Sequence, residues 1–180
     1  FSAGNLTIAS GGDWWTSGDT SNYIVSQDSF DFDYVAEAFV DYYAADGYTR
    51  FFGLKSSSAT NSRNFVLLGD GNEDHVTNVY REDTIGGTTW YGENSGVATT
   101  DRTDNLAKFV RVGDTVSSYY GGELANSRTV ANWGLTYVAL TDTHGSGDPC
   151  RFEWVRVRKH ASPEPTYTVG TSQQGDKGVI

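Results

Sequence analysis

Apolar side chains recur at every second position in short runs along this chain of 180 residues. The run YVAEAFVD at residues 34–41 shows the pattern. One set of alternate residues contains only apolar side chains and Tyr34, and the other set contains Glu37 and Asp41. Successive side chains of a β-strand point to opposite faces of a sheet, whereas a helix needs apolar residues every three or four positions. The alternation therefore predicts strands and almost no helix.

Clusters of Gly, Asn, Asp and Ser separate the runs, and these residues favour tight turns. Gly113 and Asp114, for instance, lie between two alternating runs and predict a β-hairpin. Many short strands joined by such turns are typical of an all-β sandwich of two antiparallel sheets. We expect its core to include Leu6, Ile8, Phe39, Phe52, Phe65, Leu67, Phe109, Val138, Leu140 and Trp154.

The composition excludes several classes of protein. The formal net charge of −10 disfavours nucleic acid as a partner, because phosphate binding needs a basic surface. No apolar run reaches the roughly 20 residues of a membrane-spanning helix. Cys150 is the only cysteine, so no disulfide within the chain is expected. Few lysines and many Thr, Ser and Gly residues suit an exported protein, and we expect an extracellular or cell-surface location with Phe1 as a processed or cut start.

The C-terminal part divides at two prolines. Pro163 and Pro165 cannot donate to a β-ladder, so we expect the β-sandwich domain to occupy residues 1–162 and a strand or tail to occupy residues 163–180. After the prolines the chain regains β-type residues in TYTVG. We predict that Tyr167 and Val169 order this segment against a sheet edge, either the protein's own edge or that of the next subunit in an assembly.

Four stretches carry a resemblance to a known family: GNLTIAS, YVAEAFV, FVRVGDTVSSYY and FEWVRVRKHASPEPTYTVG. Over residues 4 to 170 they resemble an uncharacterised family of secreted archaeal and bacterial domains. The closing strand is also similar, more distantly, to that of laminarinase-type glycoside hydrolases. The resemblance implies a concanavalin A-like jelly-roll sandwich of two antiparallel sheets. Members of the family usually have another strand segment before the GNLTIAS position.

The laminarinase relatives place their catalytic carboxylates on one strand, and retaining glycosidases need two of them about 5–5.5 Å apart. The nearest string here is DFDYVAE, which contains Asp31, Asp33 and Glu37 at a different spacing. No nucleophile-elbow motif accompanies a histidine, so a serine triad is not expected either. The histidines are His75, His144 and His160. The sequence therefore predicts that the chain is not an enzyme.

Two features predict a Ca²⁺ ion. The turn GDGNEDH carries Asp70, Asn72 and Asp74 at alternate positions, and Ca²⁺ accepts such oxygen ligands. An ordinary polar turn is the alternative, because the pattern does not complete an EF-hand. The resemblance to laminarinases also implies that Glu153, two residues before Val155, helps to bind a structural Ca²⁺. These four residues need not belong to one site.

Aromatic side chains are abundant, and adjacent aromatic pairs on strands usually place one ring outward. Outward rings beside Asp and Asn can stack on sugar faces, although Trp and Tyr also simply favour strands. The candidate ligand-binding residues are Trp15, Tyr43, Trp90, Tyr120 and Trp133. Asn5 begins an Asn-Leu-Thr sequence and is a candidate glycosylation site.

Two function classes follow. The first is a non-catalytic extracellular binding or adhesion module whose partner is a glycan or a neighbouring surface protein. The alternative is a structural subunit that polymerises into an extracellular filament or surface layer by β-strand addition. The absent first strand and the C-terminal TYTVG segment motivate the alternative, because an empty position in a sheet exposes unpaired backbone groups.

Overall fold

The computed structural model describes residues 6–8, 23–42, 50–56, 65–71, 75–84, 87–98, 103–130, 136–141 and 150–163. These residues form twelve strands and no helix. The strands are β1 (Leu6–Ile8), β2 (Tyr23–Val25), β3 (Tyr34–Tyr42), β4 (Arg50–Lys55), β5 (Phe65–Gly71), β6 (His75–Thr84), β7 (Gly87–Ala98), β8 (Thr103–Val112), β9 (Thr115–Tyr120), β10 (Glu123–Thr129), β11 (Tyr137–Thr141) and β12 (Cys150–Lys159).

The strands form two six-stranded sheets. Sheet A has the order β1-β12-β3-β8-β9-β10, and sheet B has the order β2-β11-β4-β5-β6-β7. Every pairing is antiparallel. The predicted all-β sandwich is therefore confirmed. None of the described residues forms a helix that is long and apolar enough to cross a membrane.

The core lies between the two sheets and is rich in aromatic rings. The ring centroids of Phe52 on β4 and Phe109 on β8 are 5.4 Å apart, and those of Phe51 and Tyr120 are 6.0 Å apart. All four side chains are buried. Burying one such side chain contributes about 1.5–3 kcal/mol, so these contacts across the sandwich are a main source of its stability.

The alternation along β3 is confirmed. Tyr34, Ala36, Ala38 and Val40 belong to the core between the sheets, so the intervening residues, which include Glu37, lie on the outer face of sheet A. The hairpin predicted at Gly113 and Asp114 is also confirmed, because Val112 pairs with Thr115.

Two of the residues expected in the core are exposed. Leu6 is 41% exposed and Trp154 is 37% exposed. Phe39 is half-buried on the outer face of sheet A. Strict alternation from Phe152 predicted that Trp154 points inward, but the pairing of β12 with β3 is irregular between these two residues. That β-bulge reverses the side-chain parity, so Phe152 is buried and Trp154 lies outside.

The buried residues of β5 are Val66 and Leu68, whereas alternation had favoured Phe65 and Leu67, whose side chains lie outside the described part. Ile8, Phe52, Phe109, Val138 and Leu140 are buried as expected. The division of the chain at residue 162 stays a prediction, because residues 164–180 lie outside the described residues.

Sheet A has an open edge. β1 pairs only with Cys150–Phe152, and no other described strand lies on that side of β12. The remainder of β12, residues 153–159, therefore forms a free strand edge within the described part of the chain. A groove of ≈ 380 Å³ lies beside this edge and is lined mainly by apolar side chains, among them Leu6, Ile24, Val138, Leu140, Val155 and Val157.

Candidate functional site

The outer face of sheet A carries an unusual concentration of arginine. Cys150 and Phe152 are buried between the sheets, so Arg151 points outward. The bulge omits Glu153 from the pairing and sets Trp154 opposite Phe39 and Arg156 opposite Glu37. Arg158 follows at the next outward position. One strand thus places three guanidinium groups and an indole ring on the same face.

Glu37 lies among these groups on β3, between β12 and β8. Its side chain is only 5% exposed. Arg156 Nε donates a hydrogen bond to Glu37 Oε2 at 2.6 Å, and Arg158 Nε lies 3.7 Å from the same oxygen. A carboxylate buried to this extent is stabilised by such charge-assisted contacts. The two arginines therefore hold Glu37 in a fixed position.

Arg156 also contacts the indole of Trp154, with its guanidinium carbon 4.9 Å from the ring centroid. The Trp154 ring in turn lies 5.9 Å from the Phe39 ring at an interplanar angle of 32°. The Arg156 side chain is 53% exposed. Its only hydrogen bond among the described residues uses Nε, so the two terminal amino groups of Arg156 remain available to a ligand.

A second cation–aromatic pair extends the site across the sheet. Lys108 on β8 pairs with Glu37 on one side and with Tyr119 of β9 on the other. The Lys108 Nζ atom lies 4.4 Å from the centroid of the Tyr119 ring. Adjacent strands are about 4.8 Å apart, so the row from Arg156 to Tyr119 spans roughly 15 Å. We call Glu37, Phe39, Lys108, Tyr119, Trp154, Arg156 and Arg158 the outer-face site.

The sequence had identified Tyr120 as an outward ring, and the structure corrects this assignment. Tyr120 is 2% exposed and packs against Phe51, because it pairs with the inward-facing Ala107. Tyr119 is the outward member of this pair. The other ligand-binding candidates lie outside the described residues (Trp15, Tyr43 and Trp133) or are described only in the backbone (Trp90 on β7).

The three acidic residues of DFDYVAE do not converge. Asp31 is exposed, and Asp33 Oδ1 accepts a hydrogen bond from the Gly113 backbone nitrogen at 2.7 Å. Only Glu37 belongs to the outer-face site. The backbone nitrogen of His160 donates to the Asp33 carbonyl at 2.9 Å, His75 is described only in its backbone, and His144 lies outside the described residues.

The proposed Ca²⁺ ligands are divided between the two sheets. Asp70 lies on β5 of sheet B, Glu153 lies on β12 of sheet A, and Asn72 and Asp74 lie outside the described residues. Within the described part of the chain, no group of three His, Cys, Asp or Glu side chains is arranged to hold a metal ion. Asn5, Tyr167 and Val169 also lie outside the described residues.

A buried polar cluster of Tyr34, Arg111 and Thr136 lies apart from the outer-face site, and so does the buried side chain of Lys55. Thr136 Oγ1 is 2.6 Å from the Tyr34 hydroxyl and accepts a hydrogen bond from Arg111 Nη1 at 3.0 Å. Burial raises the pKa of Tyr34 to about 12, although the Thr136 hydrogen bond and the Arg111 charge oppose the shift. Burial lowers the pKa of Lys55 on β4 to about 8.

The sequence did not reveal the roles of Phe39, Tyr119 and Arg156 as a group. A signal was present for two of them, since Phe39 alternates with the core residues of β3 and Tyr119 precedes a second tyrosine. The sequence contained no information that β12 and β9 lie on either side of the same central strands.

Solved structures similar to this one include several glycoside hydrolases. An endo-β-1,3-glucanase from Pyrococcus furiosus has a TM-score of 0.54 and 15% identity, covering 75% of this chain and 65% of that chain. A glycoside hydrolase family 43 protein from Bacillus licheniformis has a TM-score of 0.60 and 15% identity, covering 87% and 33%. A glycoside hydrolase family 16 endo-glucanase from Bacteroides ovatus has a TM-score of 0.55 and 11% identity, covering 76% and 74%.

This chain thus spans less than two thirds of the length of the first two of these proteins. No protein-family model matches the chain, and no curated protein matches it.

The comparisons correct one expectation and confirm another. The prediction that the chain is not an enzyme is wrong as it stands, because glycoside hydrolases, among them two endo-glucanases, share its architecture and point to a possible enzyme. At 8–15% identity in these structures, the likeness establishes the architecture only. The chain has the concanavalin A-like jelly-roll fold of two antiparallel sheets that the sequence predicted.

Proposed function

We propose that this protein binds a glycan on the outer face of sheet A. The observation that carries the proposal is the contact of Trp154 with both Phe39 and Arg156, beside the fixed carboxylate of Glu37. Glycan sites combine apolar ring surface with a few oriented polar groups, and the outer-face site has both. The glucanase neighbours support the same ligand class. An extracellular or cell-surface location and membership of the secreted family are part of this proposal.

The first experiment is a titration of a broad panel of soluble oligosaccharides, neutral and acidic, followed by intrinsic tryptophan fluorescence and calorimetry. We expect saturable binding to at least one glycan. Trp154→Ala should lower that affinity about tenfold or more, because it removes both ring contact and apolar area.

Phe32→Ala is the matched control. Phe32 is 38% exposed, close to the 37% of Trp154, but it packs against Phe30 and Tyr34 away from the outer-face site. This variant should change affinity by no more than about twofold. The absence of a saturable response to every glycan tested, or equal losses in the two variants, would contradict the proposal.

Hydrolysis of the bound glycan is the second candidate, and the glucanase neighbours favour it. Glu37 is the carboxylate of the outer-face site. Asp41 faces the same side four residues further along β3, about 13 Å away at roughly 3.3 Å per residue. Paired glycosidase carboxylates lie about 5–9.5 Å apart, so the partner of Glu37 would come from residues outside the described part.

Release of reducing sugar from β-1,3- and mixed-linkage glucans tests this candidate. If Glu37 is the acid, base or nucleophile, Glu37→Gln should lower the rate about a hundredfold or more. Asp31 is an exposed carboxylate outside the outer-face site, so Asp31→Asn should leave the rate unchanged. A wild-type protein that releases no sugar from any substrate would rule hydrolysis out.

The free edge of β12 supports the alternative role as an assembling subunit. A strand edge that pairs with no other described strand and lies beside an apolar groove is suited to accept an additional strand. Four of the exposed large hydrophobic residues surround it: Leu6, Ile24, Trp154 and Val155. We propose that the segment containing Tyr167 and Val169 of a neighbouring copy supplies that strand.

Light scattering and electron microscopy of the full chain test this role. The full chain should form oligomers or fibres, and deletion of residues 166–180 should leave folded monomers. Val155→Lys, which introduces a charge beside the groove, should have the same effect. Val112→Lys is the control, because Val112 is 44% exposed but is not among the groove-lining residues. A monomeric full chain at high concentration would contradict the assembly proposal.

A further inference from the structure

The outer-face site differs in charge from the molecule as a whole. The chain has a formal net charge of −10. The described charged side chains on the outer face of sheet A include four cations, Arg151, Arg156, Arg158 and Lys108, and two carboxylates, Glu37 and Asp41. These described side chains therefore carry a formal charge of +2 on an otherwise acidic protein. Such a local reversal of sign attracts anionic ligands.

The carboxylates hold the cations in position without covering them. Glu37 engages Nε of Arg156, and Asp41 Oδ2 lies 3.3 Å from Nε of Arg151. The side chains of these two arginines remain 53% and 45% exposed. For Arg156, contact at Nε leaves the edge of the guanidinium that carries the two terminal amino groups directed away from Glu37. That edge matches the geometry of a carboxylate or sulfate oxygen pair.

Glu153 is the bulged residue of β12. It is omitted from the pairing with β3 and lines the groove at the free strand edge together with Trp154 and Arg156. Counting its carboxylate with the outer-face side chains lowers their formal charge to +1, which is still opposite in sign to the net charge of the protein. The bulge brings Trp154 and Arg156 into register with Phe39 and Glu37.

We infer that the glycan bound by the outer-face site is anionic, bearing carboxylate or sulfate groups that bind the terminal amino groups of Arg156. Trp154 and Phe39 provide the ring surface for the sugar, and Glu37 fixes the guanidinium from behind through Nε. This inference rests on the proposed function, because it specifies the ligand of the same site.

Two pairs of polymers that differ only in charge test the inference with the purified full chain. The first pair is polygalacturonate and its fully methyl-esterified form, and the second is dextran sulfate and dextran. At low ionic strength the acidic member of at least one pair should bind about tenfold or more tightly than the neutral member, and added salt should weaken it. The pair with the larger difference identifies the carboxylate or the sulfate as the preferred group.

Arg156→Gln should lower affinity for the acidic polymer about tenfold to a hundredfold, because it removes a charged hydrogen-bonding group. Arg156→Lys should recover part of the affinity, since it restores the charge without the planar fork. Lys159→Gln is the matched control. The Lys159 amine lies 5.4 Å from the centroid of the Phe32 ring, and neither residue belongs to the outer-face site. The affinity of this variant should therefore stay within about twofold of the wild type. Circular dichroism and melting temperature check that each variant is folded.

The outcomes separate the two proposals. Equal binding of acidic and neutral polymers overturns the anionic class and leaves glycan binding intact. Binding of none of the four polymers or of any oligosaccharide in the panel overturns both. Equally tight binding of polyglutamate or a single-stranded oligonucleotide overturns the inference, because it would show attraction to any polyanion rather than recognition of an acidic sugar.

Discussion

At the scale of single residues, Glu37 shows how alternation and packing combine. The sequence placed Glu37 on the side of β3 opposite its apolar neighbours, and an acidic residue there is ordinarily solvated. The structure confirms the side but leaves the carboxylate only 5% exposed, because Arg156 and Arg158 of β12 cover it. Alternation correctly predicts that Glu37 lies on the outer face, but only the contacts with the two arginines show that its carboxylate is held in place within the candidate site.

Thr136 is the residue on which the buried polar cluster depends. Thr136→Val retains the shape of the side chain but removes the hydroxyl that contacts Tyr34 and Arg111. Two buried polar groups then lose a partner, so we expect the free energy of unfolding to fall by about 2–3 kcal/mol in urea denaturation. Ser117→Ala is the control, because its hydrogen bond to Ser127 is exposed, and it should cost less than about 0.5 kcal/mol. Similar costs for the two variants would contradict this assignment.

Lys55 gives a prediction about pH. Its pKa falls from 10.5 in the unfolded chain to about 8 in the folded protein because it is buried. Between these values the unfolded state binds more protons, so stability rises with pH. Lys55→Met removes this dependence. The variant should be more stable than the wild type by about 1–3 kcal/mol below pH 8, and the difference should shrink as the pH approaches 10.5. A difference between the two proteins that stays constant across this range would show that Lys55 does not titrate in it.

At the scale of the elements, β12 decides what the outer face presents. Read as a regular strand, its sequence places Phe152, Trp154, Arg156 and Arg158 on one side. The bulge at Glu153 separates Phe152 from the others and joins Arg151 to them. Bulges arise from the pairing of two strands, and the β12 sequence alone has no glycine or other marker at this position.

The β8–β9 hairpin depends on Gly113, whose φ is +56°. A Cβ at this position meets nothing within 4 Å, so a substitution acts through backbone strain alone. Gly113→Ala should lower the free energy of unfolding by about 1–2 kcal/mol, measured in urea. Gly113→Asn should cost less, because asparagine tolerates the left-handed conformation. If alanine and asparagine proved equally tolerated, backbone strain would not be the determinant of this turn.

At the scale of the whole molecule, the two sheets provide different surfaces. Sheet A carries the outer-face site and, along β12, the free edge with its apolar groove. The candidate Ca²⁺ turn begins at the end of β5 in sheet B. Trp154 and Arg156 belong to the outer-face site and also line this groove, so variants of these two residues test glycan binding and assembly together. Variants of the turn after β5 test ion binding by itself.

Calcium binding remains a proposal that concerns the whole fold. A ligand that binds only the native state stabilises it by about 2.7 kcal/mol at a hundred times its dissociation constant. For a chain of this size we expect saturating Ca²⁺ to raise the melting temperature by about 5–10 °C over EDTA. Asp74→Asn or Glu153→Gln should remove the increase and identify which region holds the ion. Equal melting temperatures in Ca²⁺ and EDTA would end the proposal.

Local patterns in the sequence are enough to predict the class of structure. Alternation at residues 34–41, the turn at Gly113 and the prolines after β12 are local signals, and local backbone geometry is enough to interpret them. The core positions Ile8 on β1, Phe52 on β4 and Leu140 on β11 followed from the same periodicity and are buried, whereas Phe39, the core residue predicted on β3, lies on the outer face.

Which outward side chains meet depends on how distant strands pair in the folded protein. Arg156 and Glu37 are 119 residues apart in the chain, yet their atoms are 2.6 Å apart. That contact depends on β12 pairing beside β3 and on a bulge that changes the register by one position. A change of one position moves every following side chain to the opposite face, so periodicity alone assigned Trp154 to the core. The choice of Tyr120 as the outward ring of its pair had no such cause, because β9 pairs with β8 without a shift in register. The site depends on long-range strand pairing, which periodicity within one strand does not specify.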